Sequence, residues 1–126
     1  MTKESLNLGI QAEEKAKKFL ENQGYKILCR NYKTKLGEVD IIAQDQDVLC
    51  FIEVKCRSSE KFGSGLEAVS ATKQKQISKA ALIYLKEKNL LDKKARFDVV
   101  ALDTCAAQEK IELIKNAFEL NERFTY

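Results

Sequence analysis

Asp40, Glu53 and Lys55 are the residues whose types and spacing suit chemistry in this chain. They fall in two apolar, β-branched runs, residues 38–44 and 48–55, separated by Asp45, Gln46 and Asp47. Two such runs around an acidic spacer predict a β-hairpin. A two-residue turn at Gln46-Asp47 sets Asp40 opposite Glu53 and Glu38 opposite Lys55. Alternation along the strands points these four side chains to one side, together with Ile42, Leu49 and Phe51. Val39, Ile41, Ala43, Cys50, Ile52 and Val54 then form an apolar layer on the other side.

Like charges set directly opposite each other destabilise a sheet, so two facing carboxylates need compensation. A divalent cation supplies it. Oxygen donors alone, two carboxylates completed by water and a backbone carbonyl, suit Mg²⁺ or Mn²⁺ better than Zn²⁺. The plain alternative is a salt-bridge cluster in which Lys55 bridges the acids. The acid-x-lysine triplet recurs at Glu13/Lys15 and Asp92/Lys94. What singles out Glu53/Lys55 is an apolar strand with an acid on the neighbouring one.

Other positions add to this group. On a helical wheel Glu13 lies at the edge of an apolar stripe, where a carboxylate calls for a partner, while Glu14 points to solvent. Lys73 falls in the first turn of a second helix, where a cation opposes the helix dipole. It lies on the inward side, four residues before Ile77, within reach of the hairpin's polar face. Lys73 and Arg57 are candidate phosphate contacts, or ordinary surface cations. Residues 54–96 hold 11 basic and 4 acidic side chains, a charge of +7, against −1 for residues 1–53 and −3 for 97–126. That segment predicts a basic surface for phosphates.

Composition removes most other chemistries. The 126 residues include no histidine, which excludes Ser-His-Asp and Cys-His nucleophile systems and His-ligated zinc. Cys29, Cys50, Cys56 and Cys105 form no Cys-x-x-Cys pair; Cys50 falls in the apolar layer and Cys56 has no activating base. The N-terminus lacks the apolar core of a signal peptide, and no apolar run is long enough to span a bilayer. A reduced, cytoplasmic protein without membrane segments is the expectation.

The elements that must position these residues follow from periodicity. A helix is expected over about 5–22, with Leu8, Ala12, Ala16, Phe19 and Leu20 on one stripe and Gly24 as its stop. A strand over 25–31 and a basic connection over 33–37 lead into the hairpin. A loop over 56–69, a helix over about 72–88, and strands over 97–102 and 110–114 complete the order α-β-β-β-α-β-β. That order predicts an α/β (α+β) domain spanning residues 1–126, a mixed sheet with a helix on at least one face.

The residues also carry a resemblance. Gly37-Glu-Val-Asp40-Ile-Ile, Phe51-Ile-Glu53-Val-Lys55-Cys-Arg57, Phe62-Gly63, Ala68-Val69, Lys73 and Arg96-Phe-Asp98-Val-Val are similar to the YraN-like uncharacterised family of bacteria. So are Gly9-x-x-Ala12-Glu13-x-x-Ala16, Gly24-Tyr25 and Arg30-Asn31; Ala12 and Cys56 depart from the usual glycine and small residue. That family in turn resembles the restriction-endonuclease-like PD-(D/E)-x-K nucleases, the archaeal Holliday junction resolvases in particular. The resemblance implies Asp40 and Glu53 as metal-binding acids, Lys55 as the catalytic lysine and Glu13 as an acid added by the first helix. It implies Mg²⁺ or Mn²⁺ held by Asp40, Glu53, the Val54 carbonyl and Glu13. It implies DNA, branched DNA included, as substrate and a homodimer as the acting form. A non-catalytic nucleic-acid-binding or adaptor protein with the same fold is the competing expectation, and a protein-interaction domain with a structural ion cluster a more distant one.

Overall fold

The computed structural model describes residues 3–57, 69–103 and 110–119. Seven elements follow in order: α1 (Lys3–Asn22), β1 (Lys26–Lys33), β2 (Glu38–Asp45), β3 (Val48–Arg57), α2 (Ala71–Glu87), β4 (Ala95–Asp103) and β5 (Lys110–Phe118). This is the expected α-β-β-β-α-β-β order. The strands form one five-stranded mixed sheet in the order β1-β2-β3-β4-β5. β1, β2 and β3 are mutually antiparallel, β3 and β4 are parallel, and β5 returns antiparallel to β4. The parallel pair requires a crossover, and α2 occupies it.

The ends of the helices have local causes. Gly24 adopts φ 94°, a left-handed conformation that costs glycine little, and the Tyr25 N–H closes onto the Leu20 carbonyl at 3.0 Å. Ser70 caps α2, its hydroxyl accepting the Lys73 N–H at 3.2 Å. Among the described residues, no helix is long and apolar enough to cross a membrane.

Each face of the sheet buries its own core. On one side Ala12, Ala16 and Leu20 of α1 pack on Ile41, Ala43, Cys50, Ile52, Val100 and Leu102. On the other, Ile77, Ala80, Ala81, Tyr84 and Leu85 of α2 pack on Ile42, Leu49, Phe51, Phe97 and Val99. Full burial of an aliphatic or aromatic side chain contributes roughly 1.5–3 kcal/mol, so both layers hold the central strands firmly. Cys50 is fully buried, as its place in the apolar layer predicted.

Three expectations need correction. Val39 packs in the α2-side core rather than beside Ile41 on the α1 side. The β2–β3 ladder ends at Ile41↔Ile52, and beyond that pair β2 is tied to β1 alone, so the simple two-strand alternation no longer governs position 39. Strand β5 continues to Phe118 instead of ending at Ile114. Its register shifts opposite the Phe97–Val99 step and Asn116 takes φ 53°, a bulge that hides the strand's periodicity. Finally, Glu14 is ion-paired with Arg30 at 3.0 Å rather than turned into solvent alone.

Candidate functional site

The hairpin turn forms at Gln46-Asp47, with Gln46 in a left-handed conformation at φ 56°, and the pairing runs from Asp45↔Val48 to Ile41↔Ile52. This is the expected register. One step further, where Asp40 and Glu53 would pair, the backbone ladder stops. The Asp40 carboxylate takes over there: its Oδ2 accepts the Val54 N–H at 2.8 Å. The acid thus holds the backbone of the strand that carries Glu53 and Lys55.

Glu53 is 8% exposed, and it lies beside Val99 in the parallel pair with β4. Burial is the main reason its carboxyl pKa is pushed up from 4.5 to about 8; its hydrogen bond with Asp40 and the Asp40 charge add to the rise. Lys73 and then Lys55 pull in the opposite direction. Two carboxyls therefore share a site that favours fewer than two negative charges.

Lys73 reaches this site from the first turn of α2, the placement expected from its spacing to Ile77. Its Nζ lies 3.8 Å from Glu53 Oε2 and 4.0 Å from Glu38 Oε1. Lys73 therefore bridges Glu53 and Glu38, with no ion pair to Asp40 among the described residues. Lys55 is exposed on β3 and acts on Glu53 through its charge, with no ion pair among the described residues.

Glu13 is half-buried on α1, the helix covering the other face. Among the described residues, no three acidic or thiol side chains converge to enclose an ion. The structure therefore sets Asp40 against Glu53 and places Lys73 between Glu53 and Glu38, adds Lys55 by its field, and has no contact from Glu13 to this group among the described residues. Arg57 ends β3, and its side chain lies outside the described residues, as does the segment 58–68 of the loop expected to follow. Cys56 is exposed, and its thiol pKa is raised, chiefly by desolvation, so it is not an activated nucleophile.

A second polar cluster escaped the sequence reading. Asp98 is fully buried and accepts hydrogen bonds from Arg96 Nε at 2.9 Å, Arg96 Nη2 at 3.0 Å, the Tyr25 hydroxyl at 3.1 Å and the Asn116 N–H at 2.9 Å. Arg96 Nη2 also reaches Asp45 Oδ2 at 3.0 Å. One signal was available: opposite charges two residues apart on a strand share a face. Nothing local announced Tyr25 or Asp45, which lie 71 and 51 residues from Arg96.

Comparison with known proteins places these residues in a family. The chain is 46% identical over 113 residues to a UPF0102 protein of Desulfosudis oleivorans, covering 90% of each chain. It is 48% identical over 117 residues to one of Syntrophus aciditrophicus, covering 93% of this chain and 92% of the relative. A UPF0102 protein of Geotalea uraniireducens is 50% identical over 115 residues, covering 90% and 91%. The family pattern matches residues 12–102, a span that includes Glu13, Asp40, Glu53, Lys55, Lys73, Arg96 and Asp98. The chain belongs to the uncharacterised protein family UPF0102, the YraN-like family that its motifs resemble.

Proposed function

We propose that the chain is a metal-dependent nuclease that hydrolyses DNA phosphodiester bonds, branched DNA included, in the cytoplasm and as a homodimer. The observation that carries this reading is the Asp40–Glu53 pair. Two carboxyls are kept in contact in a buried place where one of them resists ionisation, with no arginine between them among the described residues. A structural role alone gives no reason for that arrangement.

The donor set fits a hard cation. Asp40, Glu53 and the Val54 carbonyl supply only oxygen, and Glu13 is the further acid that the family resemblance adds. Bound there, Mg²⁺ or Mn²⁺ would polarise a phosphate and lower the pKa of a water. The chain's own residues do the rest. Asp40 fixes β3 through the Val54 N–H, so Glu53 and Lys55 are presented from a restrained strand. Lys55, exposed and acting on Glu53 through its charge, would orient a water or stabilise charge on the phosphoryl oxygens. Lys73 and Arg57 lie in the +7 segment, which suits sequence-independent phosphate contacts.

A second reading is a binding module of the same fold that holds nucleic acid without cleaving it. The Lys73 contact to Glu53 favours it, since an internal cation already offsets part of the negative charge. The two readings separate when purified protein is incubated with linear, nicked and four-way-junction DNA in Mg²⁺, Mn²⁺ or chelator. Cleavage that chelator abolishes is the expected result. Metal-independent binding with no cleavage of any of these substrates would establish the binding module instead.

A further inference from the structure

The turn joining β1 to β2 is built as a rigid, cationic prong beside the acidic pair. Thr34 locks it: its hydroxyl accepts the Leu36 and Gly37 N–H groups at 3.1 Å and donates to the Gly37 carbonyl at 2.9 Å, while the Thr34 N–H reaches the same carbonyl at 2.8 Å. Gly37 seats the turn on α2 so closely that a Cβ there would lie 2.1 Å from the Gln76 carbonyl oxygen. Only glycine allows that approach.

This locked turn holds Leu36 outward, 54% exposed at its tip. Lys33 and Lys35 flank it, both exposed. Turn and helix together line a cleft of about 320 Å³ that also takes in Glu38, Lys73 and Gln76. Its floor thus carries three lysines against one glutamate, and Lys73 belongs both to the cleft and to the Glu53 contact. An exposed leucine held rigidly among cations is poorly suited to water, and it matches the apolar wedges that enter unstacked base steps.

We propose that the β1–β2 turn is a DNA wedge: Leu36 enters the opened base step of a branched or kinked DNA while Lys33 and Lys35 hold its phosphates. Lys73 continues this phosphate track toward Asp40 and Glu53. This inference rests on the nuclease reading for its substrate, but it concerns binding and selectivity rather than cleavage.

The test measures binding of the full chain in chelator to a four-way junction and to a linear duplex of equal length, with 2-aminopurine at the branch. Wild type favours the junction and brightens the 2-aminopurine. Leu36→Ala lowers junction affinity about tenfold, on the scale of one buried leucine side chain, and loses the fluorescence change while duplex binding stays. Lys33→Ala combined with Lys35→Ala weakens both DNAs and lowers the slope of log affinity against log salt by about 2. All three positions are exposed, so these variants keep the fold. Unchanged junction preference and fluorescence in Leu36→Ala overturn the wedge, and leave the nuclease reading standing if Asp40→Ala abolishes cleavage. A wedge effect with no cleavage of any DNA overturns the nuclease reading alone. Wild type that binds neither DNA overturns both.

Discussion

Two clusters of buried acid sit on β3 and its neighbours, and they are satisfied in opposite ways. Asp98 is wholly enclosed and receives four hydrogen bonds, two from Arg96, one from Tyr25 and one from the Asn116 backbone. Asp45 shares the same guanidinium and has Lys115 at 3.6 Å. Those bonds hold the Asp45 carboxyl below its usual pKa range, and the partnership with Asp98 raises Arg96 further above its own. Glu53, in contrast, faces another carboxyl and a lysine at 3.8 Å, and its pKa goes up to about 8. A buried charge with every lone pair answered serves the fold. A buried acid set against another acid lowers stability, and such perturbed groups gather where chemistry is done.

The contrast can be broken from either end. The largest effect is expected at the satisfied end. Asp98→Ala leaves Arg96 and Tyr25 without their shared acceptor and should lower unfolding free energy by about 3–5 kcal/mol in denaturant titration. A loss below about 1 kcal/mol would remove the network's structural role.

The opposite sign is expected at Glu53. Its folded pKa of about 8 lies above the ordinary 4.5, so the protonated form favours folding. That contribution is complete below the ordinary value and fades as pH rises through 8. Glu53→Gln, which cannot ionise, should therefore gain on wild type between pH 5 and pH 9, by roughly 4 kcal/mol. Thermal unfolding at the two pH values reads this directly. Equal destabilisation at both would show that the Glu53 charge is fully compensated.

Gly37→Ala probes the link between the turn and the site. The overpacking at the Gln76 carbonyl should cost about 1–3 kcal/mol, with α2 and Lys73 displaced. Asp45→Asn completes the series with about 1 kcal/mol. Its lowered pKa stabilises the fold above the usual 3.8 and is lost as pH falls through the lowered value, so this variant should flatten the acid limb of the stability curve.

What the sequence revealed tracks how local each feature is. The hairpin register and the inward placement of Lys73 depended on a short turn, alternation and helical spacing, and the structure has both; the ladder ends one step short of an Asp40–Glu53 pair, and those two meet through their side chains. Val39 and the tail of β5 were misplaced because pairing partners, absent from a local pattern, decide them. The Arg96–Asp98–Tyr25–Asp45 network was invisible for the same reason: its members meet only when the α1–β1 connection, β2 and β4 are assembled. Lys73 lies between Glu53 and Glu38 because α2 packs against the sheet face that carries Phe51, a long-range outcome.

The central claim is that the Asp40–Glu53 end works on DNA while the Arg96–Asp98 end holds the fold. Its most direct test compares four-way-junction cleavage in Mg²⁺ by wild type, Asp40→Ala and Lys55→Ala, each checked for thermal unfolding. Cleavage by wild type, with loss of roughly a hundredfold or more in both variants and unfolding cooperative as in wild type, is the predicted result. Cleavage that persists undiminished in folded Asp40→Ala would contradict it.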